Sequence, residues 1–145
     1  MDKRRLREKL TSMLGWAERA CPLMVRAAAT FDPSAADELS DEMLALERVL
    51  SLALQDLVDI AAMLASSLPG AVPPTYAELF ETLESHGVLE PELASQLVAM
   101  AGLRNRLAHD YAGLDRAALL GYRDDLVDFE RFARAVVVYV DSATP

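Results

Sequence analysis

The chain is short of the residues that build most active centres. It has one cysteine, Cys21, so an internal disulfide is excluded. With only His86 and His109 beside that cysteine, a structural zinc site lacks ligands, and no metal is expected. Aromatic residues make up 6% of the 145. Ala, Leu, Met and Val supply the apolar bulk instead, a palette that favours helices over sheets. There is no glycine-rich phosphate loop, no Gly-X-Ser-X-Gly elbow and no metal-spaced histidine pair, so no cofactor is expected. Positive charge is scarce: the formal net charge is -9. That balance excludes a broad basic face for gripping nucleic acid, but not contact through a few arginines. The apolar run at 135–140 is far too short to cross a bilayer. The stretch after the basic start is broken by Glu18, Arg19 and Arg26, unlike a secretory signal. The expectation is a reducing, cytoplasmic setting without a membrane.

What is present reads as one helical domain over residues 1–145, with 52% apolar residues to fill a single core. Leu6, Leu10, Met13, Ala17, Ala20 and Met24 step by three and four along one helical face. Pro22 interrupts that face, so either the helix kinks or it is two pieces. Asp32-Pro33 reads as the start of a second helix, with Asp as cap and Pro in the first turn. That helix carries Leu46, Leu50, Ala53, Leu57, Ile60 and Leu64 on one stripe. Val49, Leu52, Leu54, Val58 and Ala61 lie off it, an extra apolar side open to a subunit interface. Residues 67–74 form a Pro/Gly loop. Thr75 with Glu78 is a capping box for a short helix to about Ser85, which Gly87 stops. Pro91 opens a fourth pattern with Leu93, Leu97, Met100 and Leu107, and Asp115 caps a last helix with Leu119, Tyr122, Leu126, Phe129, Ala133, Val136 and Val140 on its core face. The fold class is all-α: an antiparallel bundle of about five helices, four long and one short.

The fourth pattern breaks its own rule. After Leu93, Leu97 and Met100, the next stripe position is Arg104. A guanidinium there must be paired or must face a wet cleft. Asn105, Arg106, His109, Asp110 and Tyr111 follow at once, the densest polar cluster in the chain. Asn105 and His109 are helical neighbours, whereas Arg104 and His109 lie about 140° apart on a regular helix. Three routes bring the latter pair together: the helix loosens near His109, the arginine wraps round, or a second copy supplies the partner.

The run Arg104-Asn105-Arg106-Leu107-Ala108-His109-Asp110-Tyr111 resembles the HEPN superfamily signature: an arginine, four to six residues and a histidine, often with a polar residue just after the arginine. The His-X-Tyr ending looks like the HepT branch. The helix order is similar to HepT-type chains over nearly the whole sequence, including TYAELFETLESHGVLEPELASQLVAMAGLRNRLAHDY.

The resemblance implies a HEPN-like bundle that forms a homodimer and cleaves RNA as a metal-independent endoribonuclease. It implies Arg104 and His109 as catalytic residues, with Asn105 positioning His109 or the phosphate. Arg106 becomes an RNA-phosphate contact. Tyr111 becomes the site to which an MntA-like nucleotidyltransferase antitoxin transfers AMP, silencing a toxin. The chemistry suits these residue types. In metal-free cleavage the 2′-hydroxyl attacks its own phosphate. An imidazole near its reference pKa of about 6.5 passes protons at neutral pH. A guanidinium offers paired donors to the phosphorane. An adenylate at Tyr111 would add bulk and negative charge beside that cleft. The alternative is a non-catalytic helical substrate-binding or regulatory subunit of a nucleotidyltransferase, which the charge of -9 suits better.

Elsewhere the expectations are structural. His86 ends a helix before Gly87, Cys21 fills core, and Trp16 anchors core or interface. The basic start at residues 1–10 is either an anion-binding or partner-binding patch or a solvated helical turn. The acids at 124, 125, 128 and 130 alternate with Arg123, Arg131 and Arg134 as a solvated face.

Overall fold

Four helix starts are fixed by side-chain caps. In the computed structural model, which describes residues 1–35, 39–109 and 113–142, Asp2 accepts from the Arg5 N–H at the start of α1 (Lys3–Thr30). Ser40 does the same for Met43 at α2 (Asp41–Ser66). Thr75 does so for Glu78 at α3 (Tyr76–Ser85), and Asp115 for Ala118 at α5 (Arg116–Leu120). Each cap satisfies a backbone donor that the helix itself leaves unpaired, worth about 1 kcal/mol. α4 (Pro91–His109) starts on its proline, and α6 (Val127–Ser142) follows a 3-10 stretch over Gly121–Leu126. No strand is found among the described residues.

The apolar stripes meet as the periodicity predicts. Leu6, Leu10, Met13, Ala17, Ala20 and Met24 of α1 are all buried, and so are Leu46, Leu50, Ala53, Leu57, Ile60 and Leu64 of α2. α1 runs as one helix through Pro22, whose ring sits on the solvent side, so the lost backbone bond falls where water can replace it. α2 lies at the centre, with α1 on one side and α3 and α4 on others. Phe80 of α3 meets Phe132 of α6 edge to face, with centroids 6.3 Å apart, inside the same core.

Several expectations change here. The second helix starts at Asp41 and not at Pro33. Asp32 instead caps a single 3-10 turn, Pro33–Ala35, accepting both the hydroxyl and the N–H of Ser34, which hold its carboxyl below the usual value. Part of the extra apolar side of α2 is covered within the protomer: Leu54, Val58 and Ala61 are buried, while Val49 and Leu52 are half-buried. By length and composition α2 would also suffice to cross a membrane, but 56% of its apolar window is covered in the bundle and Asp56 and Asp59 sit within the helix. The last helix is not continuous. Gly121, a weak helix former, begins the 3-10 stretch that separates α5 from α6. Cys21 is exposed, because it stands one residue past Ala20 and so points about 100° away from the core stripe. Asp128 is not solvated but buried, with its carboxylate 3.0 Å from Arg131 Nη1. Glu130 and Arg134 form the exposed pair expected of that face.

Candidate active site

α4 delivers Arg104 as its sequence demands. Leu93, Leu97, Met100 and Leu107 are buried around it, and Arg104 itself is half-buried at the gap in the stripe. Its partner is neutral. Gln55 Oε1, on α2, accepts from Arg104 Nη2 at 2.7 Å and from Nε at 3.2 Å. The guanidinium carbon lies 5.6 Å from the centroid of the Tyr76 ring, a cation–π distance. Two of the five guanidinium N–H groups are engaged, and among the described residues the other three make no hydrogen bond.

The polar row continues behind Gln55. Its amide nitrogen donates to Asp59 Oδ1 at 2.8 Å, one helical turn along α2. Asp59 Oδ2 accepts from Lys9 Nζ of α1 at 2.9 Å, and Lys9 also reaches Asp56 Oδ1 at 3.4 Å. The hydrogen bond that Lys9 donates to Asp59, above all, raises the Lys9 pKa against the opposing effect of burial. Asp56 Oδ2 is buried and unpartnered among the described residues. Lys9 is thus neither a free anion-binding group nor a solvated one, while the neighbouring Arg4 is exposed and pairs with Glu8.

The remaining motif residues are arranged differently. Asn105, Arg106 and His109 are exposed. Arg106 Nη2 donates to the Tyr122 hydroxyl at 3.1 Å. His109 is the last residue of α4, and among the described residues no hydrogen bond joins it to Asn105 or Arg104. α4 stays helical through His109, and the Arg104 side chain is turned to α2. Neither intramolecular route for joining Arg104 to His109 is taken. Asp110 and Tyr111 lie outside the described residues. His86 behaves as expected, its Nδ1 3.0 Å from the Thr82 carbonyl at the end of α3. Trp16 is half-buried against the core and carries Arg19 over its ring, 5.0 Å from the centroid.

Gln55, Asp59, Lys9 and Tyr76 were not singled out from the sequence. A signal was available: Gln55, Asp56 and Asp59 interrupt the most apolar helix of the chain, as Arg104 interrupts α4. A cavity of about 680 Å³ lies elsewhere, between the 87–91 turn and α6, and includes none of residues 104–109. Its two arginines are engaged, Arg131 with Asp128 and Arg134 with Glu130.

The chain has the fold of solved HEPN-type helical bundles. Its backbone superposes on a chain from a crystal structure of an MntA-HpeT toxin–antitoxin variant with a TM-score of 0.75. That likeness covers 92% of this chain and 98% of the other at 19% identity. A chain from the structure of the tri-AMPylated Shewanella oneidensis HEPN toxin in complex with MNT antitoxin gives a TM-score of 0.70 at 20% identity, over 90% and 97% of the two chains. At such identities the likeness is one of fold. The sequence profile of the family described as Ribonuclease HepT-like matches residues 18–136. The chain therefore belongs to the HepT-like ribonuclease family. The tRNA nuclease HepT of Aphanizomenon flos-aquae (strain 2012/KM1/D3) is 39% identical over 75 residues, 52% of this chain and 51% of that one. The chain spans about half the length of the curated relatives it matches.

Proposed function

We propose that the protein is a toxin endoribonuclease that cleaves RNA through Arg104 and His109, aided by Asn105. The observation that carries this is Arg104 itself. It stands on the core stripe of α4, is held by a neutral amide and a ring face, and has three N–H groups without a partner among the described residues, which suit a phosphate. A buried arginine serving only structure would more usually be matched by a carboxylate. Here its charge is kept, as transition-state stabilisation of a phosphorane requires.

The separation of Arg104 from His109 on one regular helix supports a composite site, in which a homodimer brings the guanidinium of one protomer to the imidazole of the other. His109 is solvent-exposed at the end of α4, where a second protomer can reach it. Arg106 reaches RNA phosphate beside it. A nucleotidyltransferase antitoxin of the MntA type silences the toxin by transferring AMP to Tyr111, and the pair works in the cytoplasm. Support for that regulation is the family membership together with the structural neighbours, one of them an AMPylated HEPN toxin in complex with an MNT antitoxin.

The test is RNA cleavage by purified protein. Arg104→Ala and His109→Ala are each expected to lose activity by two orders of magnitude or more; either variant cleaving at the parental rate refutes the proposal. The net charge of -9 favours a second reading, a non-catalytic subunit of a nucleotidyltransferase. Expression alone separates the two. Growth arrest relieved by His109→Ala supports the toxin, and harmless expression of the parent supports the subunit.

A further inference from the structure

We infer that Gln55, locked by Asp59 and Lys9, is a positioning residue that fixes the Arg104 guanidinium without neutralising it. The inference rests on the reading of Arg104 as the phosphate-binding arginine of a ribonuclease.

A glutamate in place of Gln55 would take the same two N–H groups more strongly, as a charge-assisted pair. It would also set a negative charge within about 3 Å of the guanidinium and cancel much of the field an RNA phosphate is drawn to. The amide provides the geometry and leaves the charge. Tyr76 acts in the same sense, since a ring face attracts a cation without discharging it.

An amide has a weakness that a carboxylate lacks: turned end for end, it would present N–H to N–H. Asp59 removes that ambiguity. A carboxylate can only accept, so the Gln55 nitrogen must face Asp59 and the oxygen must face Arg104. Asp59 would in turn offset the arginine through the amide, were its own charge not met by Lys9 at 2.9 Å. Lys9 is itself steadied by Asp56. The row Lys9–Asp59–Gln55–Arg104 thus runs from α1 across α2 to α4: Lys9 meets two carboxylates, those of Asp59 and Asp56, and the arginine's direct partner is a neutral amide.

The test uses the full chain and two readouts. One is kcat and KM for cleavage of a single-stranded RNA. The other is binding of a fluorescein-labelled 2′-O-methyl oligoribonucleotide across a salt series, which does not depend on cleavage. Gln55→Glu is expected to keep or raise the melting temperature, yet to weaken binding about tenfold and to flatten the dependence of log Kd on log salt by about 0.7, one phosphate contact on a single strand. Gln55→Met keeps the arginine's charge but frees its position. It is expected to lower kcat at least tenfold while the salt dependence stays parental. Because Gln55→Met tests position alone, the inference stays open to refutation if Gln55→Glu does not fold. Arg104→Ala separates the two levels of argument. If Arg104→Ala is inactive while both Gln55 variants cleave and bind as the parent does, the positioning role falls and the ribonuclease reading stands. If Arg104→Ala cleaves at the parental rate, both fall together.

Discussion

The two ends of the 104–109 stretch are built on opposite principles. Arg104 is set into the bundle, tied to α2 by two hydrogen bonds and faced by Tyr76. His109 sits five residues later at the exposed end of α4, with no hydrogen bond to the rest of the motif among the described residues. Both lie on one helix, so the difference comes from what surrounds them. The anchoring half of the candidate chemistry is pre-organised within one protomer. The proton-transferring half is offered outward, to whatever surface meets it.

The comparison is sharpest in activity. Arg104→Ala and His109→Ala should each cost two or more orders of magnitude in RNA cleavage, and an equimolar mixture of the two inactive variants should regain part of it if the site is shared between protomers. No recovery, under conditions where mixed dimers are shown to form, would break the composite site. The next largest effect is on stability. Glu47 and Arg116 form a 2.9 Å ion pair with side chains 6% and 12% exposed, tying α5 to α2. Glu47→Ala removes that ion pair and should destabilise by about 3 kcal/mol in a denaturant titration.

Smaller still is the contrast between the two motif ends. Arg104→Ala removes two hydrogen bonds and should lower stability by about 1–2 kcal/mol, whereas His109→Ala should stay within about 0.5 kcal/mol. Equal losses would erase the distinction between a held residue and a presented one. The smallest effect is the pH dependence of the row behind Arg104. Lys9 has a raised pKa, so its contribution to stability is complete below the unfolded value of 10.5 and is lost as pH rises through the higher folded value. The stability gap between the parent and Lys9→Met should therefore be constant up to about pH 10 and shrink above it. A gap that widens with alkali would contradict the Lys9–Asp59 pairing.

Much of this was legible in the residues. Spacing alone located the buried faces of α1, α2 and α4, and the break in the α4 stripe pointed to Arg104 before any contact was known. Capping chemistry located α3 through Thr75 and Gly87. What was missed in the site shares a cause: partners distant in sequence. Gln55 is 49 residues from Arg104 and Lys9 is 50 from Asp59, and no local pattern announces such pairings. The same holds for Asp128, whose place in the core depends on how α6 packs once Gly121 has broken the final helix. Part of the apolar excess of α2 serves α3 and α4, which come later in the chain.

Gly87 gives the fold a mechanical property. Its φ of 77° lies where side chains with a Cβ are strained, and the turn it makes is pinned by the buried Val88 and Leu89 just before α4 begins. From Pro91 to Arg104 the helix is a rigid arm of about 20 Å. A tilt of about 3° at that pivot would carry the guanidinium through about 1 Å, enough at a reacting centre to cost about a hundredfold in rate. On the proposed reading of Arg104, a surface turn with no chemistry of its own thereby contributes to the aim of the arm, together with the buried side chains along α4.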